Sequence, residues 1–202
     1  MKATTIDAHT PVLALHCSLG SGAQWRSLTS AMAERQVIAL DLLGYGAAPA
    51  PASEDDFTLD AEVDAIEQAL DRRLSAGQPL HVVGHSYGGA VAWRFALRNQ
   101  TRVRSLTLFE PVTVWLVQHD AEAQPFLSLA KQIADAVDLG LRTGAAERFV
   151  DFWSGAGTFA SLPEERRSSI ANRMHKVKLD FLACLSERSA CPRVGRCACP
   201  HC

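Results

Sequence analysis

The stretch from Leu80 to Leu97 constrains this chain most. A strand-like run, Leu80 to Val83, enters Gly84-His85-Ser86-Tyr87-Gly88-Gly89, and the apolar run from Ala90 to Leu97 follows at once and reads as a buried helix. Reversing from strand to helix within so few residues demands a sharp turn. Glycines two before and two after Ser86 remove the Cβ atoms that would clash there, so the serine side chain is held exposed at the end of the strand.

The rest of the first half repeats this alternation. Pro11 to His16 is a short apolar strand that ends in a Gly/Ser-rich turn, Ser18 to Gly22. Trp25, Leu28 and Met32 then give Gln24 to Arg35 one apolar helical face. Val37 to Leu42 is the next strand, followed by the Gly44-Tyr45-Gly46 turn and a loop to Pro51. Thr58 stands at an N-cap position before Leu59, Val63, Ile66, Leu70 and Leu74, an amphipathic stripe that ends near Gly77 and Pro79. Val103 to Phe109 is a fourth strand. Strands alternating with helices imply right-handed crossovers and an α/β fold, a mostly parallel sheet with helices on both faces. Ligands bind such sheets beyond the carboxyl ends of the strands. After Pro111 the pattern is helical only: Gln124 to Leu139, Ala145 to Trp153, and Pro163 to Leu185, the last opened by Ser161 and Glu164 as a capping box. The expected division is a core over 1–111, a helical cap over 112–187 and an irregular Cys-rich tail over 188–202.

Charge and composition exclude several function classes. Twenty Lys and Arg stand against 22 Asp and Glu, a net charge of −2, so no bulk field points to nucleic acid or an anionic membrane. No apolar run reaches the roughly 18 residues that a spanning helix needs. Met1 to Thr10 holds one Lys and no apolar stretch of signal-peptide length, which makes a cytoplasmic location the expectation.

The chemistry gathers at Ser86. A helix starting just after it brings a positive dipole end and free N–H groups, which stabilise negative charge developing on an attacked carbonyl oxygen. Tyr87 N–H is one expected donor. The turn His16-Cys17-Ser18-Leu19-Gly20 leaves the first strand at a comparable place, and Ser18 N–H is the expected second.

HCSLGSGAQW at 16–25, DLLGYG at 41–46 and GHSYGG at 84–89, in that order and followed by a helical insertion, resemble the α/β-hydrolase family over about residues 11–185. The resemblance implies an α/β-hydrolase fold with a helical cap. It also implies hydrolysis of an ester, thioester or related bond through an acyl-enzyme at Ser86, without a cofactor or metal. The implied partner is a small, partly apolar substrate, and oligomeric state is left open. Two departures stand out. The family's usual His-Gly is His16-Cys17 here, acceptable on extended backbone but not at positive φ. The family's Asp-bearing and His-bearing last strands do not appear before Cys202, so the last strands are expected to be missing and the chain to be truncated.

A serine nucleophile needs a base, normally His, and a carboxylate to orient it. His16 is expected to brace the neighbouring turn, and His85 to point away from the Ser86 hydroxyl. His9, His81 and His175 read as structural or solvated, nothing selects His119, and His201 belongs to the tail, so the catalytic His is unassigned. Glu110 ends the fourth strand at the active edge and is the candidate acid, by analogy with haloalkane dehalogenases; the competing reading is a carboxylate that pairs with a loop. Asp41 is expected to bind local backbone N–H groups.

The tail from Ser189 has no periodicity. Cys191, Cys197, Cys199, Cys202 and His201 offer soft ligands for Zn²⁺, yet the paired knuckles of a zinc site are absent. A change of reading frame near residue 190 explains the same composition and is preferred. Two functional readings remain: a serine hydrolase, or a non-catalytic chain of the same fold that at most binds a small ligand.

Overall fold

The computed structural model describes residues 9–188, so the tail cysteines and His201 lie outside the described residues. Four parallel strands form one sheet: β1 (Val12–Leu15), β2 (Val37–Leu40), β3 (Leu80–His85) and β4 (Val103–Phe109), in the order β2-β1-β3-β4. Val12 is paired with Val37 on one side and His81 on the other, and Leu15 lies between Leu40 and Gly84. The connection after β1 runs outward to β2, whereas the chain after β3 runs the opposite way to β4. Strand order therefore reverses between β1 and β3, and a crevice opens at their carboxyl ends. Ser18 and Ser86 both lie just past those ends.

The crossovers are a 3₁₀ turn (Gly22–Trp25) with α1 (Arg26–Ala31), then α2 (Leu59–Asp71), then α3 (Tyr87–Arg98). The first is shorter than the Gln24 to Arg35 stripe suggests. Its Trp25, Leu28 and Met32 face is only half-buried, and Met32 leaves helical geometry at φ −112°, ψ 43°. In α2 the stripe behaves as expected. Thr58 Oγ1 accepts from Ala61 N, and Leu59, Val63, Ile66 and Leu70 are at most 2% exposed, each burial stabilising by about 1.5–3 kcal/mol. The helix closes at Asp71, before the expected end near Gly77.

Beyond β4 come two short 3₁₀ turns (Val114–Leu116 and Ala121–Ala123) and five helices: α4 (Gln124–Asp138), α5 (Arg142–Ser154), α6 (Thr158–Ser161), α7 (Glu164–Asn172) and α8 (Met174–Ser186). The single helix expected over Pro163 to Leu185 is broken at Arg173. Its capping box does not form either: the Ser161 hydroxyl donates to Thr158 O, and Glu164 binds Ser168 and Arg167 on its own helix. One apolar cluster centres on Leu13, Leu15, Ile66, Val82 and Phe95, and a second on Leu129, Ile133, Phe159 and Met174. Helix α8 serves both, sending Leu179 and Cys184 to the first and Val177 and Phe181 to the second. Strand β4 pairs only with β3 among the described residues, and Phe109 at its end is 58% exposed. No helix among the described residues is long and apolar enough to cross a membrane.

Candidate active site

Ser86 sits at the junction of β3 and α3 with φ 54° and ψ −122°, a conformation that residues bearing a Cβ rarely adopt. The surroundings over-determine it. Ser86 N donates to Phe109 O at 3.0 Å, while Ser86 O accepts from Gly89 N at 2.8 Å and from Val112 N at 3.2 Å. The flanking glycines are explained by crowding. A Cβ on Gly84 would lie 2.3 Å from Gly88 O, and one on Gly88 would lie 2.3 Å from His16 O and 2.5 Å from Leu15 O. Helix α3 thus starts in direct contact with the end of β1, which brings its first N–H groups beside the 16–20 turn.

The turn after β1 is built as tightly. His16 is fully buried, its Nδ1 bonding Cys17 O at 2.7 Å and its Nε2 accepting from Leu42 N at 3.0 Å, so both ring nitrogens are occupied. Burial pushes the imidazole below its ordinary value, which keeps it neutral. Asp41 accepts from Gly22 N at 2.7 Å and Ala47 N at 2.8 Å, the local backbone role expected of it. The left-handed residue of the turn is Leu19 (φ 63°), while Cys17 avoids positive φ, which removes the steric objection to Cys at that position. Among the described residues neither Ser18 N–H nor Tyr87 N–H has an acceptor, and both residues line one small cavity with Ser86 and Asp180.

This geometry agrees with comparison to known proteins. A sequence model of the alpha/beta hydrolase fold matches residues 10–172. The chain belongs to the α/β-hydrolase family. It is 38% identical over 100 residues to the lipase LipV of Mycobacterium tuberculosis, a match covering 50% of this chain and 36% of the lipase. It is 32% identical over 105 residues to epoxide hydrolase 4 of Mus musculus, covering 48% of this chain and 28% of that protein. Among solved structures, an esterase from Exiguobacterium antarcticum superposes with a TM-score of 0.60 at 18% identity, covering 90% of this chain and 68% of the esterase. The matched part of the chain spans about a third of these two curated relatives.

A groove of about 280 Å³ is lined by Cys17, Ser18, His85, Ser86, Glu110, Phe149 and Trp153, so the serine, the expected acid and one of the two expected donor residues meet there, while Tyr87 lines the smaller cavity beside it. Glu110 lies at φ 45° at the end of β4, 76% of its side chain exposed, with Oε2 4.0 Å from His85 Nε2. His85 is nonetheless badly placed as a base. Cys17 N–H donates to Gln24 Oε1 at 3.0 Å, which orients that amide so that its Nε2 donates to His85 Nδ1, also at 3.0 Å. The neutral ring then carries its proton on Nε2, facing Glu110. Burial lowers its pKa, with Glu110 acting in the opposite sense.

His81 bonds Ser105 at 2.7 Å, His175 pairs with Glu54 at 2.8 Å, and His9 and His119 are exposed. Among the described residues nothing is hydrogen-bonded to the Ser86 hydroxyl.

The sequence reading missed a buried polar cluster behind the serine. Glu62, Lys176 and Asp180 are 0%, 6% and 1% exposed. Lys176 Nζ bonds Glu62 Oε1 at 3.1 Å and also Asp180 Oδ1, and it lies 4.6–4.8 Å from the ring centroids of Phe57, Tyr45 and Tyr87. The signal was present. Glu62 interrupts the Leu59/Val63/Ile66 stripe, and Lys176 and Asp180 stand four apart on a helix whose other inward residues are apolar.

Proposed function

We propose that this chain is a serine hydrolase acting on an ester, thioester or related bond of a small, partly apolar substrate. The observation that supports the reading best is Ser86 at φ 54°, ψ −122° beside two N–H groups without acceptors. The surrounding packing keeps a strained serine half-buried on the groove wall, short of the full exposure its position at the strand end suggests, an arrangement suited to function rather than stability. In this reading Ser86 Oγ attacks the carbonyl carbon as its proton passes to a general base. The carbonyl oxygen becomes an oxyanion held by Ser18 N–H and Tyr87 N–H. Collapse expels the alcohol or thiol, which takes that proton, and water then hydrolyses the acyl-enzyme. His16 does not serve as the base, because both of its nitrogens are bonded elsewhere, and His85 has its Nδ1 taken by Gln24 and its Nε2 4.0 Å from Glu110 with no hydrogen bond to Ser86. Glu110 is the carboxylate placed to orient a base entering the groove.

The substrate class follows from the walls. Phe149 and Trp153 supply the apolar wall of the groove that Ser86 also lines. Trp153 also borders an open hollow of about 560 Å³ lined by Val112, Val117, Ala123 and Phe126, with Glu110, Asp120 and Glu122 as its charged groups. Apolar walls with an acidic rim favour a substrate with a hydrocarbon part and no anionic group.

The bonded histidines favour a second reading, a fold that binds a small apolar ligand without turning it over. A serine-reactive fluorophosphonate separates the two. The hydrolase reading expects labelling of the folded chain, in which an Oγ–P bond forms as fluoride leaves. Labelling is expected to be lost in Ser86→Ala and kept in Cys17→Ser. A folded chain that stays unlabelled, while a known serine hydrolase labels in parallel, refutes it.

A further inference from the structure

The Ser18 hydroxyl donates to Asp180 Oδ2 at 2.5 Å, and the Tyr45 hydroxyl donates to the same oxygen at 2.6 Å. Asp180 belongs to α8, about 160 residues later in the chain, and its other oxygen is held by Lys176 one turn earlier. Lys176 in turn holds Glu62 of α2, which also accepts from Leu43 N at 3.0 Å and from the Tyr87 hydroxyl at 3.1 Å. Ser18 and Tyr87, the two residues proposed to supply the oxyanion N–H groups, therefore have their side chains tied to opposite ends of one buried network: Ser18 through Asp180, Tyr87 through Glu62, with Lys176 between. A second tie reaches the same turn from the start of α8, where Arg173 Nη1 donates to the carbonyl of the left-handed Leu19 at 2.9 Å.

We propose that Asp180 is a positioning residue for the oxyanion hole: by fixing the Ser18 side chain it aims the Ser18 N–H, and α8 becomes a structural part of the catalytic site.

The inference rests on the serine-hydrolase reading. Its physical basis is that the hydroxyl and N–H of one residue move together. Once Oγ is anchored to a buried carboxylate and the next carbonyl to a guanidinium, the peptide between Cys17 and Ser18 has little freedom to rotate. The carboxylate is itself rigid, because it takes hydrogen bonds from Ser18, Tyr45 and Lys176 in a desolvated site. Burial pulls the Lys176 ammonium down, but Asp180 and Glu62 outweigh it and hold its pKa above the ordinary value, so the cation at the centre of the clamp stays charged at neutral pH. Opening of the cap must then be confined to elements other than α8, such as α5 with Phe149 and Trp153.

The test is a double-mutant cycle in the full chain with Ser18→Ala, Asp180→Asn and both together. It is read by the rate of fluorophosphonate labelling at Ser86, the thermal midpoint, and amide hydrogen exchange of residues 17–20. Neither substitution touches an N–H donor, so each is expected to slow labelling by about ten-fold, less than the roughly 10²–10³ of losing a donor outright. The double variant should label no more slowly than the slower single variant, because both act through one bond. Midpoints should fall more for Asp180→Asn than for Ser18→Ala, which leaves Lys176 paired. Losses that multiply, or an Asp180→Asn chain that labels at the parental rate, overturn the proposal.

Two further outcomes are decided by the same set. If the parent chain does not label, the hydrolase reading fails by itself. Exchange at 17–20 then tests the clamp, which requires faster exchange in both single variants and no further gain in the double. If Asp180→Asn does not fold, Ser18→Ala carries the test, and unchanged labelling and exchange there refute it.

Discussion

Replacing Ser86 with glycine should stabilise the protein while abolishing its reaction with a serine probe. At φ 54° and ψ −122° the Ser86 Cβ is held where it meets its own backbone, a conformation worth about 1–3 kcal/mol of strain in a residue other than glycine. Glycine removes that strain but gives the unfolded chain more freedom, which offsets about 0.5–1 kcal/mol. The backbone bonds to Phe109, Gly89 and Val112 survive the change, since none uses the side chain. A net gain of about 1 kcal/mol remains, an upward shift of about 2–4 °C in the midpoint of a domain this size. Ser86→Ala is the decisive control, because it removes the hydroxyl and keeps the Cβ. Thermal and urea unfolding of the three proteins should place Ser86→Gly above both others, with Ser86→Ala within about 0.5 kcal/mol of the parent. If glycine matches alanine or falls below it, the serine is not strained, and the argument that packing holds it out for chemistry is lost.

Lys176→Met leaves Glu62 and Asp180 buried without their cation and should cost about 3–5 kcal/mol in urea unfolding. Glu62→Gln in that background should recover part of it, and a loss under about 1 kcal/mol would show the cluster to be open to water. Burial pushes Asp41 up, but the N–H groups of Ala47 and Gly22 outweigh it and hold its pKa below the ordinary range. Its folded value is below its unfolded one, so its contribution is present above about pH 4 and is lost as pH falls through the folded value. Stability of Asp41→Asn measured from pH 6 to 2.5 should therefore fall less steeply than that of the parent at the acid end. The acidic rim should make p-nitrophenyl butyrate a better substrate than the p-nitrophenyl ester of succinate, by about five-fold for each carboxylate approached within about 4 Å. That ratio should shrink in 0.5 M salt, and a salt-independent ratio would locate the acyl group elsewhere.

The sheet and the elbow were legible because each is encoded within a few consecutive residues. Apolar runs ending in Gly-rich turns mark three of the four strands, the fourth running into Glu110-Pro111, and the glycines at 84 and 88 stand where a Cβ would meet backbone oxygens at 2.3 Å. What failed were boundaries set by tertiary packing. Nothing at Arg173 forbids a continuous helix over Pro163 to Leu185, yet the chain breaks there, with the Arg173 guanidinium taking Leu19 O. The Ser161/Glu164 pattern has the spacing of a capping box, but a separate turn of helix over Thr158–Ser161 takes the serine hydroxyl for itself.

The candidate site divides along the same line. Ser86, Tyr87 and Ser18 follow from chain order, because a strand end, a helix start and a turn at the neighbouring strand must converge where strand order reverses. Glu110 reaches the groove for the same reason. The histidines could be narrowed only by their partners: His85 has its Nδ1 taken by a chain of donors running from Cys17 N–H through the Gln24 amide, which no local pattern announces. Asp180 is the extreme case. Its hydrogen-bond partners Ser18 and Tyr45 lie 162 and 135 residues away, and its only sequence mark is polarity on an inward helical position. A buried carboxylate that accepts from two hydroxyls and an ammonium is fully engaged, which is why it reads as a residue that orients the site and not as the acid of a triad. Polar residues breaking an apolar stripe should therefore be paired with one another before any is assigned to surface: here Glu62 on one stripe and Lys176 with Asp180 on another are halves of a single network. The turn after β1 is tied to that network through Ser18 and to α8 through Leu19, so under the proposed reading the placement of the Ser18 N–H depends as much on α8 as on the strand from which it emerges.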